Sequence, residues 1–244
     1  GTTDTSSEMV AGPKRRSRLA DFGIRLFKEK RLGAVMGVIT LLMLLVAIFA
    51  NFIAPYGMNE TRVADWLAPP SAAHLLGGDQ LGRDLFSRIV YGARISVTVG
   101  LAASAIATVI SLIIGIVSGY IGGKFDLVLQ RFVDAWMCFP ALILLIIIMS
   151  FVGPGLWNVI MVLGVTTGIG GSRVIRGAVM TVKENVYISA AVATGCPTSR
   201  ILIRHILPNV MAPTIVLFTI RVPNAILTEA SLSFLGYGIP PPHS

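Results

Sequence analysis

Charge is what this chain has least of. Of its 244 residues, 13% are Asp, Glu, Lys or Arg, against about 25% in an ordinary soluble domain. That is too few to cover a water-facing surface, which excludes a conventional soluble enzyme or binding module. Cysteine is nearly missing. Cys138 opens an apolar run and Cys196 sits in a polar loop, so they read as two unpaired thiols rather than a disulfide framework. The three histidines, His74, His205 and His243, are scattered and lack metal-ligand spacing. No Gly-x-x-x-x-Gly-Lys-Ser/Thr phosphate loop occurs, so the chain does not harness nucleotide hydrolysis by itself. No Ser/His/Asp grouping stands at catalytic spacing. The sequence therefore predicts no catalytic residue, no bound metal and no cofactor.

Apolar residues are abundant: 54% of the chain, with mean hydropathy +0.78. Their long runs predict an all-α, polytopic transmembrane bundle. The net charge of +8 is placed rather than spread. Lys14, Arg15, Arg16, Arg18, Arg25, Lys28, Lys30 and Arg31 all precede the first apolar run. A basic flank of that kind marks the cytoplasmic side of a membrane, and it argues against nucleic acid as the partner. Residues 1–31 are thus expected to form a cytoplasmic tail, polar and disordered at first. Residues 19–27 suit either a surface-lying amphipathic helix or an ordinary extension. Position 1 is Gly, so the natural start is expected to lie upstream.

Five spans are predicted. The first, 33–52, covers a ~30 Å hydrocarbon layer at 1.5 Å per residue and is too long for a cleaved signal peptide. Residues 53–92 are expected outside, because Glu60, Asp65, Asp79 and Asp84 balance Arg62, Arg83, Arg88 and Arg94, leaving no positive excess. Within them Asp84 and Arg88, four apart, are predicted to pair on a helix. The second span, 95–120, carries a small-residue stripe at Ser111, Gly115 and Gly119, suited to close helix packing. Gly122–Asp126 is read as a short inner turn. Asp126, Arg131 and Asp134 flank the third span, 139–151, which Pro140 is expected to kink. The fourth, 156–171, has glycines at 164, 168, 170 and 171 that are expected to loosen it, and Arg173 and Arg176 return the chain to the cytoplasm. The fifth, 210–235, is expected to be interrupted by Pro213 and Pro223. Arg221 and Glu229 fall in or near it, two turns apart on a shared rough face. A role in a translocation path, snorkelling and a structural pair all remain open for them. These readings divide the chain into a tail (1–31), a first helix with its outer loop (32–93) and a core (94–244).

The longest polar-punctuated piece between spans is 177–209. Lys183, Arg200 and Arg204 place it on the cytoplasmic side. Val182, Val186, Ala190 and Ala193 share a face at helical spacing. Gly195 can take a left-handed cap, and Pro197 prevents simple continuation. Thr198 or Ser199 can cap a second short helix, which Pro208 is expected to close. Ala190 and Ala191 let another backbone approach closely. The pattern predicts a docking surface for a partner protein.

The spacing of Ala190, Ala191, Gly195, Leu207 and Pro208, joined to Arg204-His205-Ile206-Leu207-Pro208-Asn209, resembles the cytoplasmic "EAA" loop of binding-protein-dependent ABC importer permeases, most closely the dipeptide/oligopeptide/nickel family. The acidic first residue of that motif is Ser189 here. Glu184 is no substitute, lying about 140° around a helix from 189. Asp79, Gly82, Arg83, Asp84 and Arg88 resemble the segment before the second span in the same family, either as a structural hairpin or as a contact for a binding protein. The run from Glu229 to Pro241 resembles it again. The likeness extends over about 30–244. Members continue into a sixth span, so the chain is expected to be truncated after Ser244.

The resemblance implies one membrane subunit of an ATP-driven importer for di- or oligopeptides or nickel. Its expected partners are a second homologous permease, two ABC ATPases that hydrolyse the ATP, an extracytoplasmic substrate-binding protein and membrane lipid. Ser189, Ala190, Ala191, Gly195, Arg204, His205, Leu207 and Pro208 are the coupling residues it implies. The alternative is a subunit of an ion-gradient-driven carrier or a membrane redox complex. That alternative calls for intramembrane carboxylates or haem-ligating histidines, whereas Glu229 is the lone candidate acid and no expected span carries a histidine.

Overall fold

The structure, a computed structural model, describes residues 31–240. The basic tail up to Lys30, its stretch at 19–27 and His243 lie outside the described residues. The described chain divides after Leu45 into two units, the second starting at Val46. Among the described residues there is no β-strand, and one antiparallel bridge joins Gly78 to Asp84. Four helices are long and apolar enough to cross a membrane, and a bent pair makes a fifth span if it is counted as one.

The first helix, α1 (Arg31–Ile48), has no charge after Arg31. Leu32, Met36 and Ile39 are exposed on it, as lipid-facing residues must be. A short α2 (Ala50–Ile53) follows. The next helix, α3, runs Leu85–Ile121, so it begins well before the expected residue 95. Asp84, its N-cap, accepts the N–H of Ser87, which has no partner within the helix, and this fixes the start. Gly122, at φ +70, breaks the chain there. What was read as a short inner turn is the start of α4 (Gly123–Met137), an amphipathic helix. It joins α5 (Ala141–Val152) at 88°, because Pro140 cannot continue a helix and restricts the residue before it. The 12 residues of α5 fall short of the roughly 20 that a span requires. The turn at Gly153 and Gly155 leads to α6 (Leu156–Lys183).

The core of the second unit is the pairing of α3 with α6. Val99, Ala103, Ala107, Ser111, Gly115 and Gly119 recur every four residues and are all buried. A Cβ at Gly115 would stand 2.7 Å from Ile175 Cβ, and one at Gly119 would stand 2.9 Å from Val179 Cβ. The relation is reciprocal, since a Cβ at Gly164 would stand 2.7 Å from Ile106 Cβ and one at Gly168 2.8 Å from Ile110 Cβ. The glycines of α6 therefore do not loosen the span. Gly164 and Gly168 are recesses for β-branched side chains of its partner.

The last helix, α9 (Leu207–Phe234), packs against both. It runs through Pro213 and Pro223 unbroken, which corrects the expectation that they interrupt it. Each proline removes one hydrogen bond, and packing on α3 and α6 holds the helix together across the gap. Gly236, at φ +84, ends it with the paired Gly236 N–H to Ser233 and Tyr237 N–H to Leu232 bonds of a Schellman cap.

Two apolar cores result. One gathers Val99, Leu145, Met149, Ile160 and Leu232, and the other Ile175, Val179, Ile188, Ile201, Ile206 and Val210. The outer surface stays apolar as well, with Ile113, Ile147 and Ile220 about half exposed. Water would not tolerate such a surface, but hydrocarbon matches it.

Gly115→Val should force Ile175 and the Ser172 carbonyl away from α3. A loss of about 1–3 kcal/mol is expected, read as a lower thermal midpoint of the purified protein in detergent. Gly92→Val is the control, since a Cβ there meets nothing within 4 Å. Equal midpoints for the two variants would contradict the close-packing account.

Candidate functional site

The segment between α6 and α9 is a built platform. Lys183 ends α6, donates Nζ to the Tyr120 carbonyl at 2.6 Å and lies over the Tyr120 ring. Glu184 and Asn185 then turn the chain, and α7 (Val186–Ala193) starts afresh. Val182 therefore does not share a helix with Val186, as its spacing suggested. Gly195 takes φ +74, its N–H reaching the Val192 carbonyl and that of Cys196 the Ala191 carbonyl, both at 3.0 Å. This is the Schellman geometry that a left-handed glycine permits.

The next helix, α8 (Thr198–Ile201), is capped by the Pro197 carbonyl, which accepts from Arg200 and Ile201. Neither the Thr198 nor the Ser199 side chain caps it. From α8 the chain passes through one wide turn, 202–206, into α9, giving a single 37-residue helix, Thr198–Phe234. Pro208 is the second residue of α9, so it does not close a helix. The wide turn pairs the Leu207 N–H with the Leu202 carbonyl, five residues back. That winding makes room for a proline ring that an α-turn would push into the carbonyl four residues earlier.

Ile188, Ile201 and Ile206 seat this platform in the second apolar core, with Ala191 and Cys196 packed beside them. The opposite face carries Val186, Ser189, Ala190 and Ala193, all exposed and spaced for one side of a helix. Of the other residues singled out by motif, Gly195, Arg204 and Pro208 are exposed, whereas His205 and Leu207 are half-buried. The His205 ring lies 6.3 Å from that of Tyr187.

Before α3, the loop is tied by two carboxylates. Asp79 accepts from the Leu81 and Arg83 N–H groups at 2.8 and 3.0 Å through Oδ1, and from Arg83 Nε and Arg88 Nη1 at 2.7 Å through Oδ2. Asp84 accepts from the Ser87 N–H and hydroxyl at 2.8 Å and faces His74 Nδ1 at 3.0 Å. Asp84 and Arg88 thus do not pair. Asp84 lies outside the helix and caps it through the Ser87 N–H and hydroxyl, so Arg88 turns to Asp79. Tyr56 closes the knot, donating its N–H to the Ser87 hydroxyl at 3.2 Å and stacking on His74. Gly82, at φ +67, lets the chain pass close to Arg62 and the Ala64 carbonyl. Burial pushes the Asp79 carboxyl up, but the two backbone donors and Arg83 outweigh it and hold it at about 2. Asp84 is likewise held low, the Ser87 donors and His74 outweighing the effect of burial.

Arg221 and Glu229 are both buried and do not pair. Glu229 accepts from the Ser233 hydroxyl at 2.7 Å, and Ser233 also accepts the Ile239 N–H at 3.4 Å, so Glu229 fastens the turn after α9. Arg221 instead lies between the two cores. Nη1 donates to Thr108 Oγ1 at 3.2 Å and Nη2 to Ser111 Oγ at 2.7 Å. It lines a mid-bundle cavity of about 840 Å³.

Other ionic ties escaped the sequence. Asp126 accepts from Arg176 Nε at 2.6 Å and from the Ser118 hydroxyl, and Asp134 pairs with Arg173. These bonds lash α4 to α3 and α6. Arg176 lies 50 residues from Asp126, so no local spacing could have announced the pair.

Long lipid-compatible helices around a half-open cavity, with a rigid platform at one end, define a multi-pass membrane protein of the transporter class. The chain belongs to the family described as binding-protein-dependent transport system inner membrane components, whose model matches residues 111–244. A second model, the N-terminal TM domain of oligopeptide transport permease C, matches 17–70. The chain is 39% identical over 216 residues to the oligopeptide transport system permease protein OppC of Bacillus subtilis, covering 88% of this chain and 71% of that one. It is 41% identical to the dipeptide transport system permease protein DppC of the same organism, over 89% and 68% of the two chains. It is 38% identical to the glutathione transport system permease protein GsiD of Escherichia coli, over 89% and 72%. It is thus an ABC importer permease of the inner membrane.

Asp79→Asn leaves Arg83 and Arg88 without a counter-charge. The loop at 54–84 should open by about 1–3 kcal/mol more readily, read as faster proteolysis in membranes at neutral pH. In the unmutated loop the folded carboxyl titrates below its ordinary 3.8. Its contribution is complete above that value and lost as pH falls toward about 2, so protection should fade only across that window.

Proposed function

We propose that this chain forms the translocation path for di- or oligopeptides together with a second, homologous permease, and that the 186–208 platform couples it to two cytoplasmic ATPases. A substrate-binding protein would deliver the cargo at the opposite end, beside the 54–84 loop, with the N-terminal tail inside the cell. The observation that carries the reading is the outer face of α7. Val186 is 84% exposed there, and Ser189, Ala190 and Ala193 beside it are small. The inner face of the same helix is held by Ile188 in an apolar core. A small-residue ridge on a rigid base can enter a groove on a partner and pass on its movement without deforming. The names of the matched relatives, for oligopeptides, dipeptides and glutathione, support a peptide cargo over nickel.

Ala190→Arg tests the coupling. Ala191 is less suitable because it packs on the core, and Gly195 because its φ of +74 makes any side chain strain the cap. The exposed Ala190→Arg should leave membrane insertion intact while a clash at the partner lowers ATP-driven peptide uptake about tenfold or more. ATPase subunits should co-purify less well. Normal uptake by this variant would refute the docking role.

A further inference from the structure

Arg221 is a charge that the fold surrounds but does not neutralise. It is 6% exposed, and its partners among the described residues are two hydroxyls. Both hydroxyls are already committed as donors, Thr108 to the Ser104 carbonyl at 2.7 Å and Ser111 to the Gly168 carbonyl at 2.6 Å. No Asp or Glu among the described residues forms an ion pair with it. Glu229 is two turns away, about 12 Å along the axis, and holds Ser233 instead. A guanidinium has five N–H donors in a fork matched to a carboxylate. Its burial inside a membrane bundle without an opposite charge is costly and is a mark of function.

The surroundings say what it could hold. Arg221 is the charged residue among those lining the cavity of about 840 Å³. Apolar walls come from Trp136, Phe139 and Leu217, and hydroxyls from Thr167, Thr228 and Ser231. A volume of that order suits a small organic ligand. Phe139 and Leu227 are 57% and 67% exposed, so this chain walls the cavity on one side only. A smaller void of about 40 Å³ behind it is lined by Arg221 and Ser104, and the Ser104 hydroxyl is buried without a partner. Ser104, Thr108 and Ser111 thus form a polar track on α3 leading to the guanidinium. At Gly171 any side chain would collide with the guanidinium, so the sequence leaves space for it.

We propose that Arg221 is an anion-binding site within the translocation path, taking a carboxylate of the peptide cargo as it crosses. The site rests on the importer reading above. A peptide supplies that carboxylate from its C-terminus or from an acidic side chain, and the apolar and hydroxyl walls accept the remainder.

The test uses the importer purified with its partner subunits and reconstituted in proteoliposomes with its binding protein. ATP-driven uptake of Ala-Ala-Ala is compared with that of its C-terminal amide and of Ala-Glu-Ala amide. Each peptide is measured with the unmutated chain, Arg221→Gln and Arg221→Lys. The ratio of acid to amide uptake should fall about tenfold in Arg221→Gln, the value of one charge-assisted bond, and recover in part in Arg221→Lys. Preferences of the binding protein cancel, because they are the same in every variant. If Ala-Glu-Ala amide follows the free acid, any carboxylate serves; if it follows the amide, the C-terminus alone does; either result supports the site. If Arg221→Gln slows acid and amide alike, or the second permease no longer co-purifies, the counter-charge belongs to the assembly and the proposal fails. If the unmutated importer takes up none of the peptides, the peptide reading fails and this site with it.

Discussion

The distance between the backbones of α3 and α6 governs the rest of the molecule. Lipid offers little hydrophobic gain for joining two helices, so their union depends on close contact and on polar bonds across the seam. The chain meets this with small residues every four positions on α3 and with Gly164, Gly168 and Ser172 on α6. The gaps at Gly115, Gly119, Gly164 and Gly168 each accept an isoleucine or valine from the other helix, so neither surface is smooth. At mid-seam a hydrogen bond crosses from Ser111 Oγ to the Gly168 carbonyl. It is possible only because Gly168 carries no side chain to hold the helices apart.

That seam also creates the polar centre of the bundle. Ser111 serves twice, donating across the seam and accepting from Arg221. Gly171, one turn below Gly168, leaves its surface bare where the guanidinium lies. The apolar cores stand to either side, one toward the 54–84 loop and the other toward the platform. Both are apolar, whereas the middle keeps a cavity and a cation. A bundle built for stability alone would have filled that level with leucine, as buried charge is retained only at a cost in free energy.

Much of this was legible in the residues. Hydropathy gave the spans, and the Ser111, Gly115 and Gly119 spacing announced a packing face, because both signals are local and periodic. The cap at Gly195 was legible for the same reason, since only glycine takes φ +74 without strain. Prolines misled three times. Pro208 was expected to end a helix and Pro213 and Pro223 to interrupt one, yet a wide turn and tertiary packing absorb them. The pairing of Asp84 with Arg88 failed because the four-residue rule holds inside a helix, whereas Asp84 stands at its cap. The glycines of α6 were misread as loosening it because their partners, Ile106 and Ile110, lie more than 50 positions away in the sequence. Ties such as Asp126 to Arg176 share that remoteness. In the candidate site, Arg221 and Glu229 were both found as intramembrane charges, but only the fold separates the one facing a cavity from the one fastening a turn.

Continuity of the last helix joins the platform to the cavity. From Thr198 to Phe234 the chain makes no loop, so Arg204 and His205 at its start and Arg221 further along belong to one rod. About 15 residues separate Ile206 from Arg221, roughly 22 Å of helix. On the coupling proposed above, a displacement of α7 would pass through Ile188, Ile201 and Ile206, which share one core, into that rod. The rod is not uniform, for the wide turn at 202–206 and the missing hydrogen bonds at Pro213 and Pro223 are its weakest points. A push at the platform should therefore swing the helix about those points rather than melt it. Arg221 lies between the two prolines, on the stretch that such a bend would turn most relative to the fixed α3–α6 seam. On the coupling proposed above, its bonds to Thr108 and Ser111 are the contacts that a stroke would strain first.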